Sequence, residues 1–75
     1  IKRHRSSLNN LGYMYSQGLG VPADKVTAHM WYNIAASFGD RVALKNRQKI
    51  ERQLAPSQLT DAHNKARAWL AKYHN

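Results

Sequence analysis

The chain has 75 residues and no cysteine, and its 12 Lys and Arg residues against 4 Asp and Glu give a formal net charge of +8. This length fits one small domain, which must rely on its apolar core because no disulfide bond can stabilise it. The sequence has no apolar run near the roughly 20 residues of a membrane span, and no His/Cys spacing typical of structural zinc.

The N-terminal part of the chain predicts a basic tail followed by a helix. Residues 1–6 are basic and lack periodicity, which fits either a frayed end or the remnant of a preceding helix. A first helix is predicted over residues 7–17, where one face recurs at the spacing i, i+3, i+4 and i+7: Leu8, Leu11, Gly12 and Tyr15. Glycine inside a helix costs about 1 kcal/mol relative to alanine. Gly12 therefore predicts the close approach of a partner helix.

The next segment predicts a glycine turn and a capped second helix. Gly18 and Gly20 favour a turn because glycine adopts positive φ without strain. Asp24 is predicted to cap the helix over residues 25–38, since its carboxylate can accept hydrogen bonds from free amides of the first turn. Gly39 is predicted to end this helix. Its buried face mixes small and bulky residues, which lets helices approach closely: Ala28, Trp31, Tyr32, Ala35 and Ala36.

The third predicted helix begins at Asp40 or Arg41 and extends to Leu54. Its inward face is predicted to contain Ala43, Ile50 and Leu54, with Arg47 in a marginal position.

The fourth helix is predicted to start near Pro56 and to extend to Tyr73. Pro56 suits the first helical position, and Ser57 suits an N-cap, so both starts are open. One amphipathic face collects the apolar residues: Leu59, Ala62, Ala66, Trp69, Leu70 and Tyr73. Four helices without a strand signal predict an all-α protein.

The reactive side chains do not predict a catalytic or metal site. Asp24 and Asp40 lie at predicted helix starts and Asp61 lies early in the fourth helix, where a negative charge suits the helix dipole. No two carboxylates share an evident site, so acid–base catalysis by a pair has no support. No two histidines are three or four residues apart, so no single helix presents a metal-binding pair: His4, His29, His63 and His74. We expect no catalysis, no cofactor and no metal.

The segment from Leu11 to Gly39 resembles a SEL-one-like repeat, a relative of the tetratricopeptide repeats. The family pattern is matched by Leu11, Gly12, Tyr15, Gly18, Gly20, Val21, Asp24, Ala28, Trp31, Tyr32, Ala35, Ala36 and Gly39. Ser7 stands where the family has an alanine, and the resemblance covers residues 7–39. Residues 40–75 resemble, more loosely, the C-terminal cap of bacterial members.

The resemblance implies an α-α superhelix (solenoid) fragment of four antiparallel helices in two tetratricopeptide-like hairpins. Residues 1–6 would be the tail, residues 7–39 the repeat, and residues 40–75 a capping hairpin in which Trp69 is structural. Repeat arrays usually need about three units, because each unit leaves an apolar face for its neighbour. One unit and a cap therefore predict a fragment of a longer protein or self-association. The likeness to bacterial members favours a bacterial cytoplasm or periplasm.

The resemblance also implies a partner-binding concave surface lined by the first helix of each hairpin. Lys45, Lys49 and Arg52 form a basic stripe on the third helix, where like charges repel by a few tenths of a kcal/mol. An acidic ligand would relieve that repulsion, although the stripe can equally be a solvated face. The predicted partner-binding residues are Asn9, Asn10, Tyr13, Gln17, Lys45, Asn46, Lys49 and Arg52.

These features favour a non-catalytic protein-interaction module or adaptor scaffold, whose partner is a protein or peptide of acidic character. The alternative is a basic helical domain that binds nucleic acid, which the net charge of +8 supports. Against that alternative, the basic residues are spread along the chain and exposed aromatic residues among them are few.

Overall fold

A computed structural model describes residues 2–73, which form four α-helices and no strand. The helices are α1 (Lys2–Gln17), α2 (Lys25–Ser37), α3 (Arg41–Glu51) and α4 (Pro56–Tyr73). The principal contacts of α1, α3 and α4 are all with α2, which is therefore the centre of the fold. The all-α prediction is confirmed. Within the described part of the chain, no helix is both long enough and apolar enough to cross a bilayer.

Three helix ends differ from the sequence prediction, of which the end of α2 differs least, at Ser37 instead of Phe38. Helix α1 begins at Lys2, five residues before the predicted start at Ser7. Lysine and arginine are good helix formers, so a helix that packs further along can continue through residues without an apolar stripe. Helix α3 ends at Glu51 instead of Leu54, because the amides of Gln53 and Leu54 bond to carbonyls only three residues back.

The predicted cap of α2 is confirmed. The Asp24 carboxylate accepts hydrogen bonds from the amides of Val26 and Thr27 at 3.1 and 3.2 Å, and from the Thr27 hydroxyl at 2.8 Å. The hydroxyl bond of Thr27 is the main cause of a pKa of Asp24 below its ordinary value. Asp40 caps α3 in the same way, through the amide of Ala43 at 3.1 Å.

The start of α4 resolves the two alternatives that the sequence left open. Pro56 is the first residue of the helix, so Ser57 is not the N-cap. The side chain of Gln58 accepts a hydrogen bond from the amide of Ala55 at 2.8 Å. This reach back from the third helical position is one half of a capping box.

Glycine acts at two kinds of position, as predicted. Gly18 and Gly20 have φ values of 71° and 76° in the turn, and Gly39 has a φ of 97° after α2. Gly12 lies instead against the ring of Tyr32, where an added Cβ would be 2.6 Å from Cδ1 and Cε1. Gly12 thus permits the close approach of α1 and α2.

The core lies around α2 and follows most of the predicted stripes. Its buried members are Leu8, Ala28, Tyr32, Ile34, Ala35, Ala43, Ile50 and Ala66. Trp31 and Trp69 are partly buried and meet edge to face, with ring centroids 5.9 Å apart. Tyr73, predicted to face inward, is 58% exposed because it lies at the last residue of α4.

Two residues of α2 that the sequence did not place in the core are wholly buried: His29 and Ile34. A two-helix hairpin covers a single face of its second helix, but α2 is covered by three helices. Burial therefore extends around α2 beyond the predicted face.

Candidate functional site

One groove on the surface of the protein lies between α1 and α3, the first helices of the two hairpins. It is a cavity of about 250 Å³. Its lining residues belong to α1, α2, α3 and the turn that follows α3: Tyr13, Ser16, Gln17, Lys25, Tyr32, Asn46, Lys49, Ile50 and Gln53. We call it the α1–α3 groove. Tyr32 and Ile50 are buried beneath it, so its floor is apolar and fixed by the core.

The rim of the α1–α3 groove is polar and basic. The Nζ atom of Lys25 donates a hydrogen bond to Oε1 of Gln53, which joins the start of α2 to the turn after α3. Tyr13 is 53% exposed, and its backbone carbonyl accepts a bond from the Ser16 hydroxyl at 2.8 Å. The lining contains two lysines and no carboxylate, which favours negatively charged ligands.

The predicted partner-binding residues fall into three groups. Four of them line the α1–α3 groove: Tyr13, Gln17, Asn46 and Lys49. Two line a second, more open depression beside the middle of α1: Asn9 and Asn10. The remaining two are exposed and line neither: Lys45 and Arg52.

A hydrogen bond joins α1 to α3 between the second depression and the α1–α3 groove. The second depression has a volume of about 540 Å³ and is bounded by the start of α3, including Asp40, Arg41 and Val42. The Nδ2 atom of Asn46 donates a hydrogen bond to Oδ1 of Asn9 at 3.2 Å. Because of that bond, the side chains of Asn9 and Asn46 fix each other's positions while both remain partly exposed to solvent.

The predicted partner-binding set omits three polar residues of the groove lining: Ser16, Lys25 and Gln53. Lys25 was not predicted because it belongs to α2, which the resemblance places on the outer side. Gln53 was not predicted because the third helix was expected to continue past it, whereas the chain turns there. The hydrogen bond between Lys25 and Gln53 depends on where α3 ends, and no local sequence motif predicts that end.

A second cluster of polar side chains lies between α2, α3 and α4. Nε2 of His29, which is wholly buried, lies 3.0 Å from Oε1 of Glu51. The ring of His63 stacks on that of His29, with centroids 5.3 Å apart and planes 20° apart. We call His29, Glu51 and His63 the histidine cluster.

Arg47 supports the carboxylate of the histidine cluster from one turn earlier on α3. Its Nε atom lies 3.4 Å from Oε1 of Glu51, without the alignment of a hydrogen bond, while Nη1 donates to Oδ1 of Asn33 at 3.0 Å. Burial lowers the pKa of His29, and the Glu51 carboxylate opposes that shift.

The spacing of histidines within single helices does not predict the histidine cluster, because the cluster is assembled across helices. The three residues come from three helices and are far apart along the chain. One signal was present: His63 follows His29 by 34 residues, which is the length of one tetratricopeptide-type repeat. Residues one period apart occupy equivalent positions in consecutive hairpins, which brings them together when the hairpins stack.

Comparison with known proteins gives one match. Residues 5–40 match the family model described as Sel1 repeat, which corresponds to the SEL-one-like resemblance over residues 7–39. No curated protein and no solved structure gives a significant match to this chain. The matched segment contains α2, the intervening turn and all but the first three residues of α1, and it ends at the cap of α3.

Proposed function

We propose that this chain, whose residues 5–40 are a Sel1 repeat, is a non-catalytic protein-interaction module that binds its partner in the α1–α3 groove. Sel1 repeats are helical scaffolds and generally mediate protein–protein interaction. The carrying observation is the groove itself, which has an apolar floor, a basic rim and no carboxylate in its lining.

The chemistry of the groove favours an acidic peptide segment as the ligand. Lys25 and Lys49 lie on two different helices of the rim, so both can pair with carboxylates of one bound segment. The amide groups of Gln17 and Asn46 can both donate to and accept from a peptide backbone. Tyr13 offers an exposed ring for apolar contact, a residue type enriched in interface hot spots.

The test is selection of random peptides on the wild-type protein, followed by affinity measurement of the selected peptides by fluorescence anisotropy. We expect enrichment of Asp and Glu, and at least about tenfold weaker binding to Lys49→Glu, because the loss of a charge pair in a partly desolvated groove costs more than about 1.4 kcal/mol. The matched control is Lys45→Glu, which makes the same charge change on the same helix outside the groove.

Three outcomes would contradict the proposal. The first is that no peptide is selected. The second is an equal loss of binding in Lys45→Glu and Lys49→Glu, which would mean that peptide affinity depends only on the net charge of the protein. The third is micromolar binding of a single-stranded oligonucleotide that persists at moderate salt, which would favour the nucleic-acid alternative.

A further inference from the structure

We propose that His29, Glu51 and His63 form a binding site for one divalent transition-metal ion, with zinc as the ion that these donors suit best. The site is separate from the α1–α3 groove and does not depend on the proposed function. One donor atom from each residue lies within 4.8 Å of the donors of the other two. Since the residues come from α2, α3 and α4, a bound ion would join the Sel1 repeat to the hairpin that follows it.

Two of the three donors are already near the separation that a metal requires. Bonds of about 2.0–2.1 Å in a tetrahedral zinc site place neighbouring donors about 3.3 Å apart. Nε2 of His29 and Oε1 of Glu51 are 3.0 Å apart. The carboxylate can therefore share an ion with His29 after a shift of a few tenths of an ångström.

The third donor needs a side-chain rotation. The rings of His29 and His63 are stacked nearly parallel, and two parallel imidazoles cannot direct their in-plane lone pairs at one ion. His63 is exposed on α4, so its ring can turn toward Glu51 without displacing a core residue. His29 cannot move in this way because it is wholly buried, and it thus acts as the fixed donor.

The donor types select the class of ion. Two imidazoles and one carboxylate suit zinc and its transition-metal neighbours, whereas magnesium and calcium prefer an all-oxygen site. The fourth position of a tetrahedral ion would be open to solvent, since His63 is exposed and the Glu51 side chain is one-third exposed.

The surroundings of the histidine cluster include a positive charge that opposes a bound cation. Nε of Arg47 lies 3.4 Å from Oε1 of Glu51, the same oxygen that faces His29, and its Nη1 donates to Asn33 on α2. A bound ion must therefore displace or outweigh the guanidinium.

The experiment uses the untagged full chain, treated with a chelator and titrated with zinc chloride by isothermal titration calorimetry. We expect one zinc per chain with a micromolar or tighter Kd, and no heat from magnesium chloride. His63→Ala and Glu51→Gln should each weaken zinc binding by at least about tenfold, because each removes a ligand. His63 is exposed, so its variant should keep the wild-type far-UV circular dichroism spectrum.

A thermal melt gives a second measurement that does not depend on binding heat. At a free zinc concentration about a hundredfold above Kd, the wild-type Tm should rise by about 10 °C or more. Under the same conditions the Tm of His63→Ala should rise by no more than about half as much, because a tenfold weaker Kd roughly halves the stabilisation by bound zinc. His4→Ala, the matched control, removes a histidine that is not one of the three and should bind zinc as the wild type does.

The proposal is overturned if the folded wild type binds no zinc, or if His63→Ala binds it with unchanged affinity and Tm shift. Loss of zinc binding in His4→Ala would equally overturn it, by placing the ion elsewhere. None of these results bears on peptide binding in the α1–α3 groove, whose test uses different variants.

Discussion

Replacement of Gly12 by alanine should destabilise the protein, although alanine is the better helix former. Gly12 lies inside α1, and the new methyl group would be 2.6 Å from Cδ1 and Cε1 of Tyr32 and 3.0 Å from Cγ. Carbon atoms pack favourably at about 3.5–4.0 Å. Because Tyr32 is only 3% exposed, its ring cannot escape into solvent, and α1 and α2 must move apart by about 1 Å.

Two opposing terms set the magnitude. The exchange of glycine for alanine in a helix interior contributes about 1 kcal/mol of stability. Overpacking of a well-packed core costs about 1–3 kcal/mol, and a contact this short between two helices belongs at the upper end. We therefore expect a net loss of about 2 kcal/mol, which lowers Tm by about 10 °C in a domain of this size.

The assay is urea and thermal unfolding followed by circular dichroism, with two comparison variants. Asn10→Ala places alanine at an exposed position of the same helix and should change stability by no more than about 0.5 kcal/mol. In a Tyr32→Leu background the cost of Gly12→Ala should shrink, because a flexible side chain replaces the ring. If Gly12→Ala is neutral or stabilising in the wild type, the close contact between α1 and Tyr32 is refuted.

Two further predictions concern the helix cap and the aromatic contacts of α4. Asp24→Ala should cost about 1 kcal/mol at neutral pH through loss of the N-cap. The pKa of Asp24 is lowered in the folded state, so its contribution is complete above the ordinary value of 3.8 and is lost as the pH falls through the lowered pKa. The Tm difference between wild type and variant should accordingly shrink in acid, and a constant difference would contradict the ionised cap. Trp69→Ala should cost about 3 kcal/mol in urea unfolding because the ring packs on Trp31, Phe38 and Tyr73. Asn64→Ala, at an exposed position of the same helix, should stay within about 0.5 kcal/mol.

Helix ends and close contacts were predictable where a residue type at that position has one main structural role. Asp24 predicted a cap because a carboxylate before an apolar stripe satisfies free amides, and Gly12 predicted a near neighbour because glycine is otherwise costly in a helix. The start of α1 was not predictable in this way. Residues 2–6 lack an apolar stripe, so periodicity does not predict a helix there, but the end of a helix that is already nucleated needs no stripe of its own.

The parts that the sequence did not give are those that depend on how hairpins stack. Burial of His29 requires α2 to be covered by α3 and α4 as well as by α1. The meeting of His29 with Glu51 and His63 has the same origin, since none of the three is near another along the chain. The period of the hydrophobic pattern describes one helix or strand at a time, so it cannot predict a site whose residues come from three helices.

The position of α3 links the α1–α3 groove to the histidine cluster. Helix α3 carries Asn46 and Lys49 on the groove side and Glu51 on the cluster side, and its buried anchors are Ala43 and Ile50. A variant that loosens those anchors, such as Ile50→Ala, would disturb both sites and could not tell them apart. Lys49 lines the α1–α3 groove and His63 belongs to the histidine cluster, and both side chains are exposed. Lys49→Glu and His63→Ala can therefore each remove one site while the other is measured. Peptide binding in the α1–α3 groove and zinc binding in the histidine cluster can thus be tested independently.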